Sequence, residues 1–351
     1  MRGYQMTENR ADGNEAPEKG QMLAPSRSYS RLESLERLHE LANLVSHEVL
    51  NFFENERGEP SVLYDTAAHL LRAGGKRIRS LLLILSHEAV GGKLDEIIPY
   101  AVATEFIQTA SLIHDDLVDE GERRRGVEST HTKFGAKMAV VAGDLLIALA
   151  VKLVGKKASP EQLTMIASTG VKMCEGEATD MLIPSEHISI VSEKDYLAIV
   201  QNKTASFMRI VARMGATIGG ATPEAERALT KFGELVGMAF QIKDDVLDMT
   251  VERGEIGKSS FADLKGNKPN YVLIKALEST SLKRRSECMR ALQEGDYSRA
   301  LDLIDETYAV EVAEKTALEY SKRAIRAVEG MHFENEKSLK DLACFTALRE
   351  H

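Results

Sequence analysis

Residues 105–126 read EFIQTASLIHDDLVDEGERRRG: an apolar run of helical character ends in the carboxylates Asp115, Asp116 and Asp119, and a turn-like stretch follows with Arg123, Arg124 and Arg125 in a row. On an α-helix, positions i and i+4 share a face and i+1 flanks them, so Asp115 and Asp119 aim the same way with Asp116 beside them. Parallel carboxylates one turn apart repel unless a cation lies between them. Hard divalent ions such as Mg²⁺ take carboxylate oxygens and keep positions open for water or phosphate. The guanidinium fork matches phosphate oxygens two at a time. A solvated acidic helix end followed by a basic surface turn would use the same residues, and the short pattern alone does not separate the two.

The chain repeats the pattern. Residues 240–248 read FQIKDDVLD, with Asp244, Asp245 and Asp248 at the same spacing and again closing an apolar segment. The copies lie too far apart to share a helix. Equal spacing in two places points to opposed walls of one cavity around a metal–phosphate cluster.

At 351 residues the chain can bury a sizeable core in one or two domains. Hydrophobic residues at 43 % and charged residues at 28 % are ordinary for a globular protein, while few aromatics and no Trp favour helix. The net charge of −9 argues against a nucleic-acid surface, so an anionic substrate must be held by local basic clusters and metal. Cys174, Cys288 and Cys344 form neither a zinc pattern nor a disulfide framework, which points to a reducing cytoplasm. No run of about eighteen apolar residues occurs; the stretch 136–154 is broken by Lys137, Asp144 and Lys152 and reads as a core helix.

Residues 1–30 are polar, rich in Gly, Pro and Ser, and without apolar period, so a disordered tail is expected. They have no signal-peptide core, and Glu8, Asp12, Glu15 and Glu18 do not suit a transit peptide; Met1 and Met6 are both candidate starts. From residue 31 apolar residues recur at three- and four-residue steps. Helices are expected at 31–56, 60–73, 76–91, 98–120, 136–155, 160–182, 193–218, 223–250, 270–293, 297–329 and 336–349, with the β-like piece 187–192 as a connection. Pro17 and Pro25 fall in the tail, and Pro60, Pro99, Pro160, Pro184, Pro223 and Pro269 at expected helix boundaries, as helix interiors require. One all-α domain over 31–351 is the expected fold: a large helical bundle around a central cavity.

Further charged stretches accompany the acidic motifs. Residues 74–79 read GGKRIR, with Lys76 and Arg79 neighbours at the start of a helix, a position suited to diphosphate. Asn202 to Phe207 read NKTASF, setting Lys203 beside the Thr204 hydroxyl in an apolar helix. Lys258 and Lys268 belong to the Gly-rich stretch 257–269, GKSSFADLKGNKP. The Glu/His pairs Glu36/His39, Glu128/His131 and Glu329/His332 raise a di-iron bundle as an alternative, but only the first lies within an unbroken expected helix.

GGKRIR, LIHDDLVDEGERRRG, GDLL at 143–146, NKT, FQIKDDVLD and the GK…DLKGNK loop, in this order over nine-tenths of the chain, resemble the trans-type (head-to-tail) polyprenyl diphosphate synthases. The resemblance implies the isoprenoid-synthase type of helical bundle. It implies a prenyltransferase in which an allylic diphosphate (C10–C20), ionised with three Mg²⁺, alkylates isopentenyl diphosphate and a proton is lost. By position, Asp115, Asp119 and Asp244 would be metal ligands, with Asp116, Asp245 and Asp248 supporting. Arg124, Lys203, Thr204, Gln241, Lys258 and Lys268 would serve the allylic diphosphate, with Thr204 and Gln241 at the reacting centre and Lys268 covering it. Lys76, Arg79, Gln108 and Arg125 would bind isopentenyl diphosphate; Gln108 stands where many members have His, and the sequence PNY after Lys268 also departs from the pattern. Side chains four and five residues before the first Asp, here Ser111 and Ala110, would limit chain length, with Ile107 a turn deeper. Their small size leads to an expected all-trans product of C20 or longer, in the range C25–C40. A C20 synthase, a non-catalytic subunit of a heteromeric synthase and a terpene cyclase are the alternatives; Lys76, Arg79 and Arg125 speak against the cyclase. A homodimer is also expected by resemblance, with at most transient membrane contact.

Overall fold

The computed structural model describes residues 27–56, 58–182, 191–250 and 268–349. These are almost entirely helical: α1 (Arg27–Asn55), α2 (Ser61–Arg72), α3 (Ile78–Glu88), α4 (Leu94–Val118), α5 (Thr130–Phe134), α6 (Ala136–Val154), α7 (Pro160–Met181), α8 (Glu193–Val200), α9 (Ser206–Ile218) and α10 (Pro223–Met249). The last five are α11 (Tyr271–Glu278), α12 (Leu282–Gln293), α13 (Ser298–Glu306), α14 (Ala309–Val328) and α15 (Glu336–Leu348). A two-stranded hairpin, β1 (Arg123–Arg124) and β2 (Val127–Glu128), is the sheet among the described residues. The expected all-α class is what the chain adopts.

Local chemistry explains the boundaries. Ser159 and Gln162 form a reciprocal capping box before Pro160, Ser192 and Asp195 do the same for α8, and Thr222 caps α10 ahead of Pro223. Helix α1 starts at Arg27, inside the expected tail, and residues 1–26 lie outside the described residues. Pro99 corrects the boundary expectation: α4 begins at Leu94 and holds Pro99 in its second turn. Only one backbone bond is forfeited that close to a helix start. The expected helix 270–293 is two helices because Ser281 caps a new start, and 297–329 breaks at Tyr308, whose φ is 53°. The connection expected at 187–192 falls mostly outside the described residues.

Chain direction gathers the motifs at one pole. Helix α3 begins within GGKRIR, at Ile78, and its packed neighbour α4 runs the other way to end at Asp115, Asp116 and Asp119. Helices α9 and α10 form a second antiparallel pair, so the start of α9 after Thr204 and the end of α10 at Asp244 and Asp248 share a pole. Packing of α3 against α9 joins the pairs. Helix α3 is buried along nearly its whole length, including Ser80, Ser86 and His87, as a central helix must be. One apolar cluster joins α1–α4, α6, α9 and α10; a second joins the end of α10 to α8 and α11–α14.

Between α8 and α9 the helix widens into a π turn, Gln201–Ala205, which carries Lys203 and Thr204. Two glycines admit this turn. A Cβ on Gly176 would lie 3.0 Å from Lys203 Cα, and one on Gly237 would lie 2.6 Å from Ala205 Cα.

Candidate active site

The three carboxylates of the first motif have different surroundings. Asp116 turns inward and accepts from Arg124 Nε at 2.8 Å and Nη2 at 2.5 Å; its buried Oδ2 has no partner within the protein. Arg124 is aimed by the β1–β2 hairpin, whose turn residues Arg125 (φ 52°) and Gly126 (φ 78°) take the left-handed pair of values that matches strand twist. Asp115 is half-buried, and its carboxyl is pushed up to about 7 by burial and by Glu177 and Asp119, with Lys203 and Arg124 opposing. Asp119 forms an ion pair with Lys268.

The second motif divides more sharply. Asp244 is paired with Arg349, which also donates to the Phe240 carbonyl at 3.1 Å and lies 4.0 Å over the Phe240 ring. Asp245 is buried and accepts from Tyr196 OH at 2.5 Å, from the Tyr271 backbone N–H at 2.7 Å and from Gln241 Nε2 at 3.1 Å. Asp245 therefore meets protein donors at both carboxylate oxygens. Asp248 is half-buried one turn beyond Asp244, and Lys258 lies outside the described residues.

Basic side chains close the space between the motifs. Arg79 reaches from α3 between Phe207 and Phe240, 5.5 and 5.6 Å from the ring centroids. Burial lowers its pKa to about 10, while Glu105, Asp244 and Asp115 pull the other way, so one guanidinium feels both acidic motifs. Its Nε is buried without a protein partner, as is Gln108 Oε1. Lys76 is exposed at the same pole, its pKa lowered by burial and by Arg349. Arg125 donates to the carbonyls of Leu70, at 3.0 Å, and Gly74, and Gly75 packs against its guanidinium.

Lys203 lies 2.5 Å from Glu177 and 2.9 Å from Asp180, two carboxylates on α7. Burial works against its charge, but the two carboxylates outweigh it and the pKa is raised. Thr204 donates to Gln241 Oε1 at 2.9 Å.

Among the described residues no three His, Cys, Asp or Glu side chains are gathered closely enough to hold a metal ion. Lys268 on Asp119 and Arg349 on Asp244 occupy the carboxylates instead. The donor set nevertheless suits a hard divalent ion: all-oxygen ligands on two helix ends, with Asp115 destabilised as an anion by its acidic neighbours.

A family profile described as polyprenyl synthetase matches residues 60–309. The chain belongs to the polyprenyl synthetase family. It is 35% identical over 300 residues to the short chain isoprenyl diphosphate synthase of Methanothermobacter thermautotrophicus, covering 83% of this chain and 92% of that one. The geranylfarnesyl diphosphate synthase of Aeropyrum pernix is 34% identical over 80% of this chain and 90% of its own. A crystal structure of polyprenyl synthase from Caulobacter crescentus, complexed with calcium and isoprenyl diphosphate, superposes with a TM-score of 0.82 at 30% identity, covering 90% and 98% of the two chains. This polyprenyl synthetase is thus a prenyltransferase that elongates prenyl chains. The di-iron bundle and the non-catalytic subunit fall away.

In the polyprenyl synthetase, Ala110 is buried on α4, Ser111 donates to the Gln108 carbonyl at 2.9 Å and Ile107 is half-buried. One turn below Ala110, Phe106 packs edge-on against Phe52 and Phe53, with centroids 5.0 and 5.4 Å away. Sequence reasoning missed Glu177, Asp180, Arg349 and Tyr196. Glu177 and Asp180 sit three apart on an amphipathic helix, a weak signal; Arg349 and Tyr196 carry none, because only folding brings them to the motifs.

Proposed function

We propose that the protein is a Mg²⁺-dependent synthase that condenses isopentenyl diphosphate with an allylic diphosphate, C10–C20, into an all-trans polyprenyl diphosphate of C20 or longer, in the range C25–C40. The observation that carries the reading is Arg79, half-buried with its Nε enclosed and coupled electrostatically to both Asp115 and Asp244. A site with acidic walls and a half-buried cation between them fits a metal-bound diphosphate.

In this reading Asp115, Asp119 and Asp244, with Asp116 and Asp248 behind them, hold Mg²⁺, three ions per site, which neutralises the charge developing on the diphosphate as it leaves. Asp116 acts by fixing Arg124, which grips the allylic diphosphate together with Lys203 and Lys258. Lys76, Arg79, Gln108 and Arg125 hold isopentenyl diphosphate; the unpartnered Arg79 Nε and Gln108 Oε1 suit a ligand or its water shell. Thr204 and Gln241 stand at the reacting centre, and Lys268 covers it. The small Ala110 and Ser111 favour a product beyond C20 over a C20 stop, with Ile107 and the Phe106 cluster deeper on the same helix.

A homodimer has physical support. On α6 the residues Val140, Val141, Ile147 and Val151 are 42–49 % exposed on one face, with the exposed Asp144 among them and Lys137 and Lys152 flanking it, a largely apolar face of the kind covered by a second copy. No helix among the described residues is long and apolar enough to cross a membrane. A cytoplasmic enzyme acting as one helical domain from about residue 31, with at most transient membrane contact, completes the proposal.

The test is incubation of the purified protein with Mg²⁺, labelled isopentenyl diphosphate and separate C10, C15 and C20 allylic primers, with products resolved by length. A discrete product beyond C15 that disappears with EDTA is expected. Absence of incorporation by folded protein with every primer would overturn the reading.

A further inference from the structure

Three donors converge on the Asp245 carboxylate. Tyr196 OH, the Tyr271 N–H and the Gln241 amide NH₂ all donate to its carboxylate, which can only accept. With its NH₂ committed to Asp245, Gln241 can offer only its carbonyl oxygen at the other end. The Thr204 hydroxyl must then donate to that carbonyl, as it does at 2.9 Å. This leaves the Thr204 oxygen with lone pairs and no proton for any other partner.

The relay is anchored on several elements. Tyr196 comes from α8, Gln241 and Asp245 are one turn apart on α10, Thr204 belongs to the π turn, and Tyr271 opens α11. Asn270 Nδ2 donates to the Asp245 carbonyl at 3.3 Å, while its Oδ1 caps α11 by accepting from Val272 N at 2.9 Å. Tyr271 OH donates to Glu193 at 2.5 Å, and the Tyr196 and Tyr271 rings lie 5.5 Å apart. The amide of Gln241 thus has one orientation that satisfies both ends, and a buried network satisfied in one orientation is rigid.

We infer that Asp245 is a positioning residue for the condensation, acting through Gln241 to fix the Thr204 hydroxyl as a pure acceptor facing the reacting carbons. The inference rests on the proposed reading of the site. An allylic substrate acquires positive charge as its diphosphate departs, and an oxygen presenting lone pairs without O–H stabilises that charge. A hydroxyl free to rotate would spend part of its time donating, most readily to the departing diphosphate. The carboxylate sets the polarity of the hydroxyl without touching substrate, and Tyr196 and Tyr271 keep it in place.

The test is steady-state kinetics on the full chain, with wild-type condensation measured first; a wild type without activity would overturn the proposed function itself. Given an active wild type, Asp245→Asn is expected to lower kcat about 10- to 100-fold, as loss of an orienting partner does. The KM for both diphosphates and the Mg²⁺ concentration for half activity should stay unchanged. Thr204→Val should lower kcat likewise, Thr204→Ser should restore it, and Asp245→Asn placed on Thr204→Val should cost nothing further. Should Asp245→Asn fail to fold, Gln241→Met on Thr204→Val carries the same expectation, since it cuts the relay in the middle and keeps the volume. Losses that multiply in the double variants, or a Mg²⁺ requirement that rises in Asp245→Asn as in Asp244→Asn, would overturn the inference.

Discussion

The Arg349 guanidinium donates to the Asp244 carboxylate, 105 positions earlier, while lying over the ring of Phe240. A side chain of the last helix segment thus sits on the acidic motif that α10 delivers to the site. Arg349 is nearly fully buried, whereas the Asp244 side chain is 43% exposed, so removing the arginine leaves a carboxylate that water can reach. Arg349→Ala is expected to cost about 1–3 kcal/mol in urea unfolding, from one charge-assisted hydrogen bond and the ring contact. The same variant should bind Mg²⁺ at lower concentration, because Asp244 no longer has an internal cation; calorimetric titration reads this directly.

Asp115 makes metal-free stability depend on pH. Its folded pKa, about 7, stands above the ordinary aspartate value of 3.8 through burial and the acidic neighbours Glu177 and Asp119. The folded state therefore holds a proton that the unfolded state has released, and this group's contribution is favourable at low pH and lost as pH rises through 7. In EDTA, the melting temperature is expected to fall between pH 5 and pH 7.5, and Asp115→Asn should flatten that part of the profile while abolishing condensation. An equally steep profile in Asp115→Asn would assign the dependence to other groups.

The middle of GGKRIR has a different task from its flanks. Arg77 is buried, 2.8 Å from Glu105, and also donates to Ser46 Oγ at 3.0 Å and to the Leu71 carbonyl at 3.2 Å, while Ser80 donates to the other Glu105 oxygen at 2.6 Å. Arg77→Ala leaves Glu105 charged and enclosed, which costs about 3–5 kcal/mol. Chemical denaturation should show a loss of that size, whereas Lys76→Ala, at an exposed position, should leave stability nearly unchanged and raise the KM for isopentenyl diphosphate.

Gly237 is where α10 touches the π turn. A Cβ there would meet Ala205 Cα at 2.6 Å, so backbone must move. Gly237→Ala is expected to lose about 1–3 kcal/mol and to lower kcat, since the displaced turn carries Lys203 and Thr204. Retention of both stability and kcat would show that the turn has slack.

Ala110→Phe should shorten the product toward C15. In the proposed reading Ala110 and Ser111 lie one turn below the first acidic motif on the path of the growing chain, and a ring in place of Ala110 would block that path. Chromatography of the products shows the shift, and an unchanged distribution would sink the account of chain length.

The sequence by itself determined the helical class, the two acidic helix ends and the basic stretches that accompany them. These are local: apolar residues at helical spacing, prolines and caps at helix starts, and carboxylates four apart are all readable along the chain. The exceptions were local in a subtler way. Pro99 is tolerated because an early turn gives up little hydrogen bonding, and the breaks at Ser281 and Tyr308 interrupt apolar periods that continue across them.

What only the tertiary structure decided is how equivalent residues divide their roles. Asp244 and Asp245 are neighbours of the same type, yet one is paired with Arg349 at the open end of the site and the other is enclosed by Tyr196, Tyr271 and Gln241. Arg77 and Arg79 diverge in the same fashion, the first into an ion pair with Glu105 and the second into the space between the acidic motifs. The physical reason is that burial and partner choice set the energy of a charge far more strongly than residue type does. Those partners come from helices distant in sequence, and no local pattern encodes them.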